Sequence, residues 1–411
     1  MANQEAVEAL RSQAKWRKYI QEVHKTGDFD FSGADLRGVV TTLDKAWTHS
    51  FNHRANFTNC IFSDFLVSDM AFPQGIDFTG STFQGRAQFT LGGGEPCGLV
   101  IIRSARFKDT VYMQAGYHSI QIENCIFEKG LLLSGAFHGS VEIIGRNTDI
   151  CGDLQATHST FSKKLIVADI RVQTAKSENA GGGLIFRGCT FAAPATFANL
   201  MVEGVANFSQ AKFHARTDFR GTRFGRAPIF EGASLNVETE FDVSDAFYSQ
   251  FPDTKSEGAE QRYRVLKTML GAHNALSEQQ AFARLEMKAY AERHPGRANL
   301  YRAYELFSDY GLSWRRPLTW LIGLMMAIAA LFIAIGVLEG KCDWVHFALL
   351  ALSNAFPFVG GLKALQLDVA MEGLSPMATA AIAILSVVQN VASTLLLFLV
   401  ALGIRNRLRM K

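Results

Sequence analysis

Residues 184–241 read LIFRGCTFAAPATFANLMVEGVANFSQAKFHARTDFRGTRFGRAPIFEGASLNVETEF. Large apolar residues recur there at Phe186, Phe191, Phe197, Val202, Phe208, Phe213, Phe219, Phe224, Phe230, Leu235 and Phe241, and the step is always five or six. Neither the period of two of a half-buried strand nor the 3.6 of an amphipathic helix produces that step. A small residue often stands two places before the large one, as in Ala55 and Phe57, Cys60 and Phe62, Ala105 and Phe107, Cys125 and Phe127, Cys189 and Phe191, and Ala211 and Phe213. A fixed short repeat implies a stacked architecture, in which each unit buries its face only against its neighbours.

Outward from this stretch the pattern holds from Gly27 to Phe251 and takes in most of the 32 Phe of the chain. It is regular at 184–247, good at 27–90 and ragged at 92–180, where Gly92-Gly93-Gly94 and Gly181-Gly182-Gly183 read as loops. The five-residue step with a large centre and a small residue two back resembles the pentapeptide-repeat family. That resemblance implies a right-handed quadrilateral β-helix with the Phe or Leu stacked inside and the small residue at a tight corner. It also implies about ten coils of about 20–22 residues, and at ~4.8 Å per stacked strand a rod roughly 50 Å long.

A solenoid needs covered ends. Residues 3–25, with Val7, Leu10, Ala14, Tyr19, Ile20 and Val23 at helical spacing, predict a capping helix over 1–26. After the repeat (27–251), residues 252–316 read as a helical linker. Ser277-Glu278-Gln279-Gln280 has the form of a capping box, and Pro295-Gly296 separates two helices.

Composition narrows the function. The chain has 411 residues, 48% hydrophobic and 19% charged, with 41 Lys plus Arg against 38 Asp plus Glu. Disorder is excluded by the apolar content, and a net charge of +3 argues against a strongly basic nucleic-acid surface. Residues 28–250 carry 23 acidic and 19 basic residues, too balanced for the acidic rod of a DNA-mimicking topoisomerase inhibitor. The six Cys have no metal-ligand spacing and read as free thiols in a reducing compartment. The start has no apolar signal-peptide core, so the N-terminal part is expected in the cytoplasm. No nucleophile motif, phosphate loop or carboxylate pair stands out, so neither catalysis, cofactor nor metal is expected. His118, His138 and His158 lie 20 residues apart and could form a ladder on consecutive coils; surface positions are the simpler expectation. His49 and His53, at i,i+4, lie in a region without helical pattern.

The C-terminal part (317–411) differs. Pro317–Leu338 is 22 residues and Met377–Ile404 is 28 residues without a charge, each long enough to cross a ~30 Å hydrocarbon core. Trp314, Trp320 and Trp344 fall near the predicted ends, as an aromatic belt requires. Arg315 and Arg316 precede the first stretch, and Arg405, Arg407, Arg409 and Lys411 follow the second. The segment between carries only Lys341 and Lys363 as basic residues, so both termini are expected in the cytoplasm. Between the spans, residues 344–355 form an apolar helix too short to cross, closed by Pro357 and Gly360-Gly361. A re-entrant helix and loop over 344–362 follows, and such backbone needs protein or water around it. Two spans cannot supply that, so a homo-oligomer around an axis is expected. Ser353, Asn354, Pro357, Phe358, Val359, Gly360 and Gly361 are the pore-loop candidates. Ser386, Gln389, Asn390 and Ser393 share one face of the second span and are the candidate pore lining, with interhelical hydrogen bonding as the alternative role.

The order of helix, pore helix, loop and helix resembles the two-span subunit of tetrameric cation channels. The whole chain resembles bacterial pentapeptide-repeat membrane proteins that end in such a module. Tyr304-Glu305-Leu306-Phe307-Ser308-Asp309-Tyr310-Gly311 with Arg316-Pro317-Leu318, Leu352-Ser353-Asn354-Ala355-Phe356-Pro357-Phe358, and Arg405-Asn406-Arg407 carry that resemblance. It implies a multi-pass protein of the bacterial plasma membrane, a tetrameric cation channel whose cytosolic β-helix senses a ligand or partner. The potassium filter Thr-Val-Gly-Tyr-Gly is missing; Phe358-Val359-Gly360-Gly361 stands in its place, so potassium selectivity does not follow. The competing expectation is a membrane-anchored scaffold whose rod binds a cytosolic protein.

Overall fold

The computed structural model describes Lys18 and residues 30–44, 54–92, 98–174, 182–243, 247–340, 344–356 and 372–409. The expected capping helix (Lys18 apart), His49, His53 and the loop Pro357–Gly361 lie outside them.

The repeat folds into a parallel β-solenoid of about eight turns, followed by a helical region. Its strands form sheets of 15, nine and four members in which every pairing is parallel. In the nine-stranded sheet the chain returns at Ala55, Ile76, Val100, Ile120, Val141, Leu165, Ala195, Thr217 and Thr239, steps of 20 to 30 residues. The turns are fewer than the ten expected, and several are longer than 20–22 residues because of insertions. The 30-residue step from Leu165 to Ala195 contains the Gly181–Gly183 segment.

Phe side chains stack along the interior because strand spacing and ring spacing agree. Phe62, Phe83, Phe107 and Phe127 form one column with centroids 4.8, 4.5 and 4.8 Å apart. Phe137, Phe161, Phe191 and Phe213 form another at 5.0, 5.3 and 4.6 Å. All eight are buried.

The small residue two places back does more than fit a corner. Cys60 Sγ donates to Phe31 O (3.0 Å), Cys125 Sγ to Ile102 O (3.3 Å) and Cys189 Sγ to Ala156 O (3.0 Å), each reaching the preceding coil. Ser81 and Thr222 hydroxyls make the equivalent bond to Phe57 O and Phe197 O. Burial pushes the Cys60 thiol up to about 12 and those of Cys125 and Cys189 to about 11, so all three stay protonated. The corners turn through left-handed backbone at Asn59 (φ 57°) and Gly80 (φ 72°). A Cβ on Gly80 would lie 2.2 Å from Asn59 Oδ1, so glycine fits this corner without moving that side chain.

The histidine ladder does not form. His118 is buried and its Nε2 accepts from Phe72 N at 2.9 Å. His138 stacks on Tyr117 and its backbone N–H donates to Gly116 O, so its coil neighbours are residues 116–117, not His118. His158 sits at a left-handed corner (φ 50°) against Gly188. The insertions shift the register that the 20-residue spacing assumed.

The last coil is covered by helices α1 (Ala259–Ala272) and α2 (Leu276–Arg293). Phe282 packs at 5.3, 5.2 and 5.1 Å against Phe241, Phe247 and Phe251, so the solenoid core continues into the helices. Tyr263 Oη donates to Asp253 O at 2.6 Å, and Arg262 Nη1 donates to Ala227 O at 3.1 Å. The expected capping box is not the start of α2: the helix begins at Leu276, and the Ser277 hydroxyl bonds Glu278 Oε2 at 2.6 Å. The chain divides into two compact units after Ala289.

The second unit contains α3 (Pro295–Ser308), α4 (Arg315–Leu338), α5 (Trp344–Ala355) and α6 (Pro376–Arg409). Pro295 starts α3, where its missing N–H has no cost. Ser375 Oγ accepts from Ala378 N at 3.3 Å and caps α6 ahead of Pro376.

Candidate functional site

Among the described residues two helices, α4 and α6, are long and apolar enough to cross a membrane. At 1.5 Å per residue the 24 residues of α4 extend ~36 Å, more than a ~30 Å hydrocarbon core. They form an antiparallel hairpin tied at both ends. At one end Ser375 Oγ donates to Glu339 Oε1 (2.8 Å) and Ser375 N to Glu339 Oε2 (3.1 Å). At the other, Asn406 Nδ2 donates to Gly311 O at 3.0 Å. Arg315, Arg316, Arg405 and Arg407 therefore gather at one end, with Glu339 and Glu372 at the opposite one.

The 12-residue α5 lies against both long helices. Phe347, Leu350 and Ala351 pack with Ile328 and Phe332 of α4 and Ile382 of α6. Gly336 makes the approach possible, since a Cβ there would lie 2.2 Å from the Phe347 ring. At the basic end Gly403 does the same against the Trp314 backbone, at 2.8 Å.

The surface of this unit is apolar, unlike that of a water-soluble helical bundle, and its apolar interior also holds buried polar side chains. On α6, Ser386, Gln389 and Ser393 are buried, whereas Ile384, Val387, Val388, Val391, Leu395 and Phe398 are exposed. On α4 and α5, Met326, Leu331, Val345 and Leu352 are likewise exposed while Asn354 is fully buried. Trp320 and Trp344 are exposed as well.

The polar face of α6 thus lies on α5 of the same chain. Gln389 Nε2 donates to Ala351 O at 2.8 Å. Asn390 Nδ2 donates to Ser386 O one turn back at 2.7 Å and approaches Asn354 Oδ1 at 3.4 Å. Ser353 Oγ donates to Leu350 O at 2.8 Å, within α5. Of the loop candidates, Ser353 and Asn354 occupy the last turn of α5. Gln389 and Asn390 reach α5, at Ala351 O and Asn354 Oδ1, and Ser386 and Ser393 are buried on the same face of α6, while the remaining loop candidates fall outside the described residues.

Sequence reasoning missed the Ala351 carbonyl and the Glu339–Ser375 clasp. The pair Ser375-Pro376 was a visible start signal for α6, a capping hydroxyl followed by proline. Nothing local announces that a glutamate 36 residues earlier bonds it. Among the described residues no group of three or more His, Cys, Asp or Glu could hold a metal ion. No protein-family profile matches the chain, and no curated protein or solved structure matches it.

Proposed function

We propose that the chain is an integral membrane protein whose helical unit assembles into an oligomeric cation-conducting pore, with the solenoid as a cytosolic sensor or docking rod. The single observation that carries this reading is the surface of the helical unit: large apolar side chains exposed along α4 and α6, with Ser386, Gln389, Ser393 and Asn354 buried beneath it. In water such a surface would aggregate; in hydrocarbon it is the solvated face. The charge asymmetry of the hairpin supports an orientation with Arg315, Arg316, Arg405 and Arg407 on the cytoplasmic side. Non-spanning α5 beside two long helices supports the resemblance to a pore helix. Its last carbonyls form the negative end of its dipole, which favours cations.

A second reading is a membrane-anchored scaffold without conduction. The bonds from Gln389 to Ala351 O and from Asn390 toward Asn354 favour it, because these side chains hold helices together within one chain. Reconstitution into planar bilayers separates the two. Current from an oligomeric preparation supports the pore, and silence from an intact oligomer supports the scaffold.

A further inference from the structure

The seam between α5 and α6 contains more polar capacity than its hydrogen bonds use. Ser386 Oγ, Gln389 Oε1, Asn390 Oδ1, Ser393 Oγ and Asn354 Nδ2 are all buried and without a partner among the described residues. Asn354, Gln389 and Ser393 are fully buried and Ser386 is 4% exposed. Unpartnered buried polar groups are rare and call for water, an ion or another ligand. Five along one seam, on helices that a bilayer would surround, cannot be satisfied by lipid.

The chemistry of these atoms restricts what fits. Gln389 and Asn390 spend their N–H groups on Ala351 O and Ser386 O, which fixes the amide orientation and leaves their carbonyl oxygens free. Four of the five unpartnered atoms are therefore oxygens with open lone pairs, which take water or a cation. No carboxylate lies among them, and neutral oxygens suit a monovalent ion better than calcium or magnesium. The C-terminal end of α5, where Asn354 sits, adds the negative end of a helix dipole. Ser386 and Ser393 are two helical turns apart, ~10.5 Å along α6. That exceeds one ion's coordination shell, so the seam is a file rather than a cage.

We propose that this intrachain seam is a hydrated file, held between α5 and α6 of each chain, that small monovalent cations enter. It rests on the reading of α4 and α6 as membrane spans. It differs from a lining exposed on an oligomer axis, because α5 of the same chain covers it.

The test uses Ag⁺, a thiol-reactive monovalent cation of alkali-ion size, on the full-length protein in lipid vesicles and chloride-free buffer. Ser386→Cys, Ser393→Cys and Val388→Cys are made singly with Cys97, Cys151 and Cys342 replaced by Ser. Protection of each new thiol from alkylation after unfolding is read by mass spectrometry. Thiolate forms in a wet site and not in hydrocarbon, so modification at 386 and 393 is expected at least tenfold faster than at the exposed apolar position 388. Equal, slow modification at all three means a dry seam and overturns the proposal. Modification as fast at 388 means that the exposed face of α6 is wet too, which overturns a file confined to the seam. Conduction is scored separately: silent bilayers with rapid Ag⁺ entry remove the pore and leave the hydrated seam.

Discussion

His118 makes the solenoid sensitive to acid at one identifiable position. Its Nε2 must be unprotonated to accept from Phe72 N at 2.9 Å, and burial lowers its pKa from 6.5 to about 4. In the native coil the ring is neutral; in the unfolded chain it titrates normally. Stability is therefore undiminished above pH 6.5 and is lost as pH falls from 6.5 toward 4, while the unfolded state alone takes up the proton. At pH 5 the unfolded form is favoured by roughly 2 kcal/mol relative to pH 7, from a shift worth ~1.4 kcal/mol per pH unit. His118→Gln keeps an acceptor for Phe72 N and removes the titration. Urea unfolding of both proteins at pH 7 and pH 5, followed by the far-ultraviolet β signal, isolates the effect, since every other group is common to the pair. Wild type should lose ~2 kcal/mol more than the variant. Parallel losses would mean that His118 is not the neutral acceptor assigned here.

Other outcomes follow from the same packing. Phe83→Ala removes the ring stacked between Phe62 and Phe107 and should cost ~3–5 kcal/mol, seen as faster hydrogen exchange in the coils around it. Gly336→Ala drives a methyl into Phe347 and should cost ~1–3 kcal/mol in thermal stability in detergent, with partial recovery by Phe347→Leu. Gln389→Leu leaves Ala351 O without its donor and should destabilise the helical unit by ~1–3 kcal/mol in the same assay. Cys60, Cys125 and Cys189, buried and protonated, should resist maleimide at pH 7.5 until the solenoid unfolds, which mass spectrometry of the labelled protein reads directly.

The solenoid was legible in the sequence because one interior Phe or Leu every five or six residues leaves a period that no other element shares. The length of each coil was not, since an insertion such as that before Leu184 lengthens a coil without disturbing the spacing inside the next. The same shift defeated the spacing of His118, His138 and His158: equal separation along the chain is equal height only if every coil is equally long. In the helical unit, 386, 389 and 393 announced one polar face by their helical spacing. What that face meets is a tertiary fact, and α5, rather than an open axis, covers it in the chain. The free acceptors of the seam were equally invisible, because hydrogen-bond satisfaction depends on which carbonyls lie within reach.

Reversal potential in asymmetric KCl and NaCl, recorded from the full-length protein in planar bilayers, tests the pore reading most directly. A cation pore gives macroscopic or unitary currents whose reversal follows the cation gradient. An intact, membrane-inserted oligomer that passes no current, or one whose reversal follows chloride, would contradict it.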